Sequence, residues 1–274
     1  MNVLNFGSIN IDHVYRVDHF VVPGETLPSD SYQRLPGGKG FNQTVALARA
    51  GAAVSHAGRI GTDGIWLRDY LDALNVNTTH LNVSEDIPTG HAVIQVGPTG
   101  ENAILLHGGA NRCIAENDVD RVLEEAARAG DALLLQNEIS AMPHLISSAA
   151  DRGLQIVLNP APMTRAVRDY ALEHVDVLIL KGRTLSVVKG VALKLMATPQ
   201  QRLVVQAQLL GEMEGRDDPL GEAPQNQEDA GAPAATPRAE GAGEEVEDPT
   251  TKTAPPVHHR RTPLAFVREL ARSQ

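Results

Sequence analysis

Apolar residues in the first 180 positions follow two alternating patterns. Short, mostly apolar runs at 3–6, 54–60, 132–135, 156–158 and 175–180 read as strands. Between them apolar residues recur at helical spacing: Val45, Leu47 and Ala48 within 38–50, closed by Gly51, and Leu67, Tyr70, Leu71 and Leu74 within 66–74. Further helices are predicted at 119–129 and 145–150. Buried strands separated by such helices call for an α/β fold, a parallel sheet with helices on both faces. Segments 91–96 and 102–107 depart from this scheme, flanking Gly97-Pro98-Thr99-Gly100, a hairpin signal. With extended stretches at 14–22 and 31–35 they predict a small β lid, built from about residues 14–35 and 88–107.

The pattern stops near Leu180. Of nine aromatic residues only Phe266 comes later, isoleucine is absent after Ile179, and nine of the 17 prolines fall in the last 94 residues. Charge separates into blocks: 181–210 carries five basic and no acidic groups, 211–248 twelve acidic against two basic, and 249–274 five basic against one acidic. The stretch 211–263 has no aromatic residue, and Val246 and Val257 are its only β-branched apolar ones. So little apolar surface cannot offset chain entropy, and disorder is expected there. The apolar groups at 191–210 and 264–270 suit short helices. The expected organisation is one α/β domain over 1–180 and a divergent, low-complexity tail over 181–274. The abruptness of the change points to an out-of-frame continuation, an idea the other two reading frames of the gene decide.

Charge and cysteine usage narrow the partners. With 24 basic and 34 acidic residues the net charge is −10, and the pI of about 5.4 argues against nucleic acid or an anionic membrane surface. No apolar run approaches the roughly 18 residues of a membrane span, and the N-terminus lacks a basic start. Cys113 is the single cysteine, so no internal disulfide forms and a reducing, cytoplasmic setting is expected.

Three groups could carry chemistry. In Leu35-Pro36-Gly37-Gly38-Lys39-Gly40-Phe41-Asn42-Gln43, glycines just before a helix let a polar ligand approach backbone N–H groups. The spacing is neither a Walker loop nor Gly-x-Gly-x-x-Gly, and a tight strand–helix connection would look the same. Asn10 and Asp12, in Gly7-Ser8-Ile9-Asn10-Ile11-Asp12, point to one side if extended. An amide and a carboxylate together suit a polyhydroxylated ligand, although both residues also favour turns. Glu138 follows the apolar run 132–135 at the carboxyl end of a strand, where parallel sheets bind ligands; it could equally cap the next helix.

These segments, in this order, resemble the ribokinase-like (PfkB-type) carbohydrate kinases. The stretch Gly37-Gly38-Lys39-Gly40-Phe41-Asn42-Gln43 running into Ala46-Leu47-Ala48-Arg49-Ala50-Gly51 is similar to the family's N-terminal signature. Gly58-Arg59-Ile60-Gly61-Thr62-Asp63-Gly64, Thr89-Gly90-His91-Ala92, Gly109-Ala110-Asn111 and Leu158-Asn159-Pro160-Ala161-Pro162 match further family segments, and the resemblance covers about residues 1–180. It implies a three-layer fold with a β lid that often pairs between subunits. It also implies phosphoryl transfer from ATP to a primary sugar hydroxyl, with Mg²⁺ assisting, K⁺ as a further ion and D-ribose the favoured sugar. The sugar would be held by the matching residues Asn10, Asp12, Gly38, Lys39, Asn42 and Glu138.

The chain departs from the family in its second half. Where the family has Asn-x-x-Glu, organising Mg²⁺ and phosphate, it carries Lys181-Gly182-Arg183-Thr184. Where the family has Gly-Ala-Gly-Asp, whose Asp is the catalytic base, the nearest stretch is Gly241-Ala242-Gly243-Glu244, set among acidic residues and prolines. No catalytic base or nucleotide residue can be assigned, and turnover is expected to be lost. The alternatives to an active kinase are a sugar-binding protein without ATP chemistry and an interaction protein using its charged tail. His258-His259 beside Arg260-Arg261 reads as a solvated basic run rather than a metal site.

Overall fold

The computed structural model describes residues 2–181 and 202–206. In chain order these form β1 (Val3–Phe6), β2 (Asn10–Arg16), β3 (Ser31–Gly37), α1 (Lys39–Arg49), β4 (Val54–Gly61), α2 (Ile65–Ala73) and β5 (Leu81–Ser84). They continue with β6 (Gly90–Val96), β7 (Asn102–His107), α3 (Glu116–Ala126), β8 (Ala132–Gln136), α4 (Met142–Asp151), β9 (Gln155–Asn159), β10 (Val177–Lys181) and β11 (Arg202–Gln206).

Seven strands make one sheet in the order β11-β10-β9-β8-β1-β4-β5, every neighbouring pair parallel. Because side chains alternate across a strand, each central strand feeds two cores. Leu4, Phe6, Leu133, Leu135, Ile156 and Leu158 pack with Val119, Val122 and Leu123 of α3 and Leu145, Ile146 and Ala149 of α4. Val3, Ala132, Leu134 and Val157 pack on the opposite face with Phe41, Val45 and Leu47 of α1 and Leu67 and Leu71 of α2. The expected helical layers on both faces are therefore present. Among the described residues no helix is long and apolar enough to cross a membrane.

The remaining four strands form the lid, in the order β3-β2-β6-β7. β2 and β3 are antiparallel, β2 and β6 parallel, and β6 and β7 make the expected antiparallel hairpin. The first lid strand lies at Asn10–Arg16 rather than 14–22. Its pairing ends where the chain bends at Asp18-His19, and beyond that Glu25 donates its N–H to Val22 O at 3.1 Å in a turn. The consequence is functional: Asn10 and Asp12 belong to the lid sheet itself.

Two further corrections are local. α3 begins at Glu116, three residues before the expected start, because the Ala115 N–H donates to the Asp118 carboxylate at 3.1 Å. Part of 191–210, suited by composition to a helix, is strand β11, its backbone paired in register beside β10 from Val177↔Arg202 to Lys181↔Gln206. The stretch 211–263 expected to be disordered, the helix expected at 264–270, the Gly241–Glu244 stretch, Gly182 to Thr184, and the His258-His259 pair lie outside the described residues.

Candidate active site

Three pieces of backbone converge at the carboxyl ends of β1 and β8. Residues Gly7–Ile9 carry the chain from β1 into β2, Gly38 alone separates β3 from α1, and Asn137-Glu138 follows β8. Gly38 has φ of +93°, and a Cβ there would stand 2.9 Å from the Asn10 nitrogen, so only glycine fits. At Gly40 a Cβ would lie 2.4 Å from the Ser8 nitrogen. The first turn of α1 is thus pressed against Gly7-Ser8, and the Phe41 N–H donates to the Ser8 carbonyl at 2.8 Å. The glycine stretch is indeed a tight strand–helix connection, and its tightness brings Lys39 over the end of β8.

Glu138 is buried and does not cap the following helix, which starts at Met142 without a side-chain cap. Its Oε2 accepts from Ser8 Oγ at 2.5 Å and from the Lys39 N–H at 3.0 Å, while Oε1 pairs with Lys39 Nζ at 2.5 Å. Asp12 sits half-buried on β2 beside Gly37, where an added Cβ would collide with its carboxyl group. Burial first, and the neighbouring Glu138 charge second, push the Asp12 carboxyl up from 3.8 to about 6, with Lys39 acting in the opposite direction.

Asn10 is extended, not in a turn, and its Oδ1 accepts from Asn111 Nδ2 at 2.8 Å. Asn111 also accepts from the Ile9 N–H and donates to the Ile9 carbonyl, each at 3.1 Å, which fixes the crossing from sheet to lid. Asn42 is placed differently: it lies exposed in the first turn of α1, and among the described residues no hydrogen bond joins its side chain to Asn10, Asp12 or Glu138. Asp12, Lys39 and Glu138 are therefore one electrostatic group, with Gly38 and Asn10 at its edge and Asn42 on its rim.

Sequence reasoning missed Ser8 and Asn111 as individual residues. Both lie inside segments that carried a signal, Gly7–Asp12 and Gly109–Asn111, but the roles of a serine bound to a carboxylate and an amide bracing a backbone depend on register between distant strands. The lid is fastened at its base as well. Arg34 of β3 donates to the Asp63 carbonyl at 2.8 Å and lies 4.9 Å over the Trp66 ring. The Asp63 carboxylate accepts from the N–H and hydroxyl of Thr89, at 2.9 and 2.7 Å, just before β6.

Among the described residues no group of three or more His, Cys, Asp or Glu is placed to hold a metal ion. What the geometry offers is two carboxylates and an ammonium group close together, with the Asn10 amide on the same strand as Asp12, a set that hydrogen-bonds hydroxyl groups in both senses.

Comparison with known proteins agrees with that chemistry. A family model described as pfkB family carbohydrate kinase matches residues 2–208. The ribokinase of Haemophilus influenzae is 39% identical over 189 residues, 68% of this chain and 61% of that protein, so the chain spans about three fifths of that relative's length. The crystal structure of Cryptococcus neoformans ribokinase in complex with ADP is 31% identical with a TM-score of 0.59, covering 74% of this chain and 71% of that one. Arabidopsis thaliana ribokinase complexed with ribose and ATP is 28% identical with a TM-score of 0.60, covering 69% and 62%.

Proposed function

Because the chain belongs to the pfkB carbohydrate kinase family, we propose that it is a ribokinase-type protein whose site takes D-ribose as the acceptor of a phosphoryl group from ATP. The observation that carries this reading is the convergence of Lys39 and Glu138 at the mouth of β8 with Asp12 of the lid strand that also bears Asn10. The carboxylates of Asp12 and Glu138 accept sugar hydroxyls, while Lys39, the free amide hydrogens of Asn10 and the rim amide of Asn42 donate. Gly38 lets the sugar approach the backbone. A lid that carries two of the ligands closes over them as it binds, which excludes water from phosphoryl transfer. The Arabidopsis relative is complexed with ribose and ATP, and these are the first ligands to try here.

ATP, Mg²⁺ and K⁺ are expected from the family, but the described residues offer no fit for the metal, and no step is assigned to it. A second reading, sugar binding without turnover, is favoured by one observation: β10 runs into Lys181-Gly182-Arg183-Thr184 where the family carries Asn-x-x-Glu. A lost general base costs about 10²–10⁴-fold and a lost anion-stabilising donor about 10²–10³-fold. ADP release with ribose, ATP, Mg²⁺ and K⁺, beside calorimetry with ribose alone, separates the two. Binding without ADP release fits the second reading. Turnover abolished by Asp12→Ala fits the first, and absence of ribose binding defeats both. We also read the lid as a pairing surface for a second copy, because Ile104, Leu105 and Leu106 of β7 are exposed.

A further inference from the structure

Directly beneath the site lies a polar cluster that the sugar reading does not use. Asn5 of β1, Gln43 and Thr44 of α1, His56 of β4 and Gln136 of β8 are all fully buried. They share the face of the sheet on which α1 packs, and Asn5 stands directly opposite His56 in the β1–β4 register.

The hydrogen bonds of this cluster run one way. Gln136 Nε2 donates to Asn5 Oδ1 at 3.0 Å and to Gln43 Oε1 at 2.5 Å. Asn5 Nδ2 donates to the Gly40 carbonyl at 2.8 Å and to Thr44 Oγ1 at 2.7 Å, which uses both of its hydrogens and fixes its amide orientation. His56 Nε2 faces the Gly7 carbonyl, which only a protonated Nε2 can use, so Nδ1 is the acceptor and the Thr44 hydroxyl donates to it at 2.7 Å. This is the Nε2–H tautomer, although the Nε2 contact with Gly7 does not close a full hydrogen bond. Burial holds the imidazole neutral, its pKa lowered to about 4.

A fully buried polar cluster adds little net stability over apolar residues of the same shape, and its contribution is to fix geometry. The geometry fixed here is Gly40. Its carbonyl is held from below by Asn5, and its N–H donates at 3.2 Å to Ser8 Oγ, the same oxygen that donates to Glu138. Gly40 follows Lys39, whose N–H and ammonium both reach Glu138.

We propose that His56, acting through Thr44 and Asn5, is a positioning residue for the sugar site: it locks the first turn of α1 against Gly7-Ser8 and so sets where Lys39 and Glu138 stand. The ligand in this proposal rests on the sugar reading above; the geometry does not.

The test uses the full chain with His56→Leu, the double variant Thr44→Val/His56→Leu, and Thr44→Ser. His56→Leu orphans the Thr44 hydroxyl, whereas the double variant removes that orphan and leaves only the second Asn5 amide hydrogen unpaired, so its thermal midpoint should recover in part. Ribose affinity by calorimetry is expected to fall about tenfold in His56→Leu and to stay low in the double variant, as for a misplaced ligand group. Thr44→Ser keeps the hydroxyl and should retain affinity. Recovery of affinity together with stability in the double variant, or unchanged affinity in His56→Leu, overturns the proposal. A second readout needs no sugar: the Asp12 titration midpoint, followed by carboxyl NMR, should fall toward the ordinary value in the double variant as the Glu138–Lys39 pair shifts and water enters. If the unaltered chain binds no ribose, the sugar reading fails alone and this midpoint decides: lowered sustains the positioning role, unchanged removes it.

Discussion

Every residue of β8 is buried, and its alternate side chains enter two separate cores. In β7 of the lid, by contrast, Ile104 and Leu105 are 56% and 73% exposed. One sheet is held by apolar burial on both faces; the other is held by strand pairing and a few anchors, Arg34 over Trp66, Thr89 on Asp63 and Asn111 on Ile9. Elements of the second kind open at low free-energy cost, as ligand-closing elements must. The difference places rigidity under Glu138 and mobility over it, with Ser8–Asn10 as the joint between them.

The comparison breaks most plainly if the two sheets respond alike to truncation. Leu133→Ala, in the fully buried centre of β8, is expected to destabilise the chain by about 2–5 kcal/mol. Leu105→Ala should fall within about 0.5 kcal/mol. Urea denaturation of both variants checks this, and similar losses would mean that the lid is folded as part of the main core.

Next in size is Glu138→Gln, on the rigid side of the joint. Removing the charge leaves the Lys39 ammonium without its partner in a partly buried place, and ribose affinity should drop by about 10–100-fold, the scale of one or two charge-assisted hydrogen bonds. Calorimetry reads it. The thermal midpoint should change far less than in Leu133→Ala; a collapse of the fold would make Glu138 structural rather than a sugar ligand.

How far these two sheets were legible follows from what each kind of signal encodes. Runs such as Ala132–Gln136 announce buried parallel strands through composition alone. The β6–β7 hairpin is announced by Gly97–Gly100. β2 was displaced because Val14, Val17, Val21 and Val22 all favour extended chain, and nothing local ranks the valines that pair above those that do not; Val21 and Val22 end exposed. β5 escaped because Leu81 is the only buried residue of Leu81–Ser84. In the site, position at strand ends drew attention to Asp12 and Glu138, each with a turn or a helix cap as the alternative, and Lys39 came only from the resemblance to the family. Ser8, Asn111 and the Asn5–Thr44–His56 relay carry no such positional signal, because a polar residue becomes a brace only once register sets its partner opposite it.

Asp12 is on the mobile side of the joint, and its titration sharpens the comparison. The carboxyl rises from 3.8 to about 6 on folding, so the native state binds the extra proton between those values. Its contribution to stability is therefore fully present below about pH 4 and is lost as pH rises through about 6. Asp12→Asn, which mimics the protonated form, should melt with the unaltered chain near pH 4 and above it at pH 7.5, the gap opening across that window. Ribose binding should weaken in the unaltered chain as pH falls through 6, because the ionised carboxylate is the better hydroxyl acceptor, and should be poor in Asp12→Asn at every pH. A melting gap that does not depend on pH would show that Asp12 is not the buried acid described here.

The smallest expected effect on folding, and the sharpest on assembly, comes from neighbours on β7. Across the lid, Leu106 pairs with Ala92, Ala92 with Asp12 and Asp12 with Leu35, so these four form one row on one face. By the alternation of strand side chains, Ile104 shares that face and Leu105 occupies the other. Both are exposed, so Ile104→Lys and Leu105→Lys should each stay within about 0.5 kcal/mol of the unaltered stability. If a second copy pairs through the face that carries Asp12, a lysine at 104 buries an unpaired ammonium in the interface, whereas one at 105 points away. Sedimentation at micromolar concentration should then find the unaltered chain and Leu105→Lys dimeric and Ile104→Lys monomeric. The monomeric variant should also bind ribose more weakly, because its lid has lost the partner that holds it down. A monomeric unaltered chain, or dimers that survive both lysines, would detach pairing from the lid and leave its restraint to anchors within the chain such as Arg34, Thr89 and Asn111.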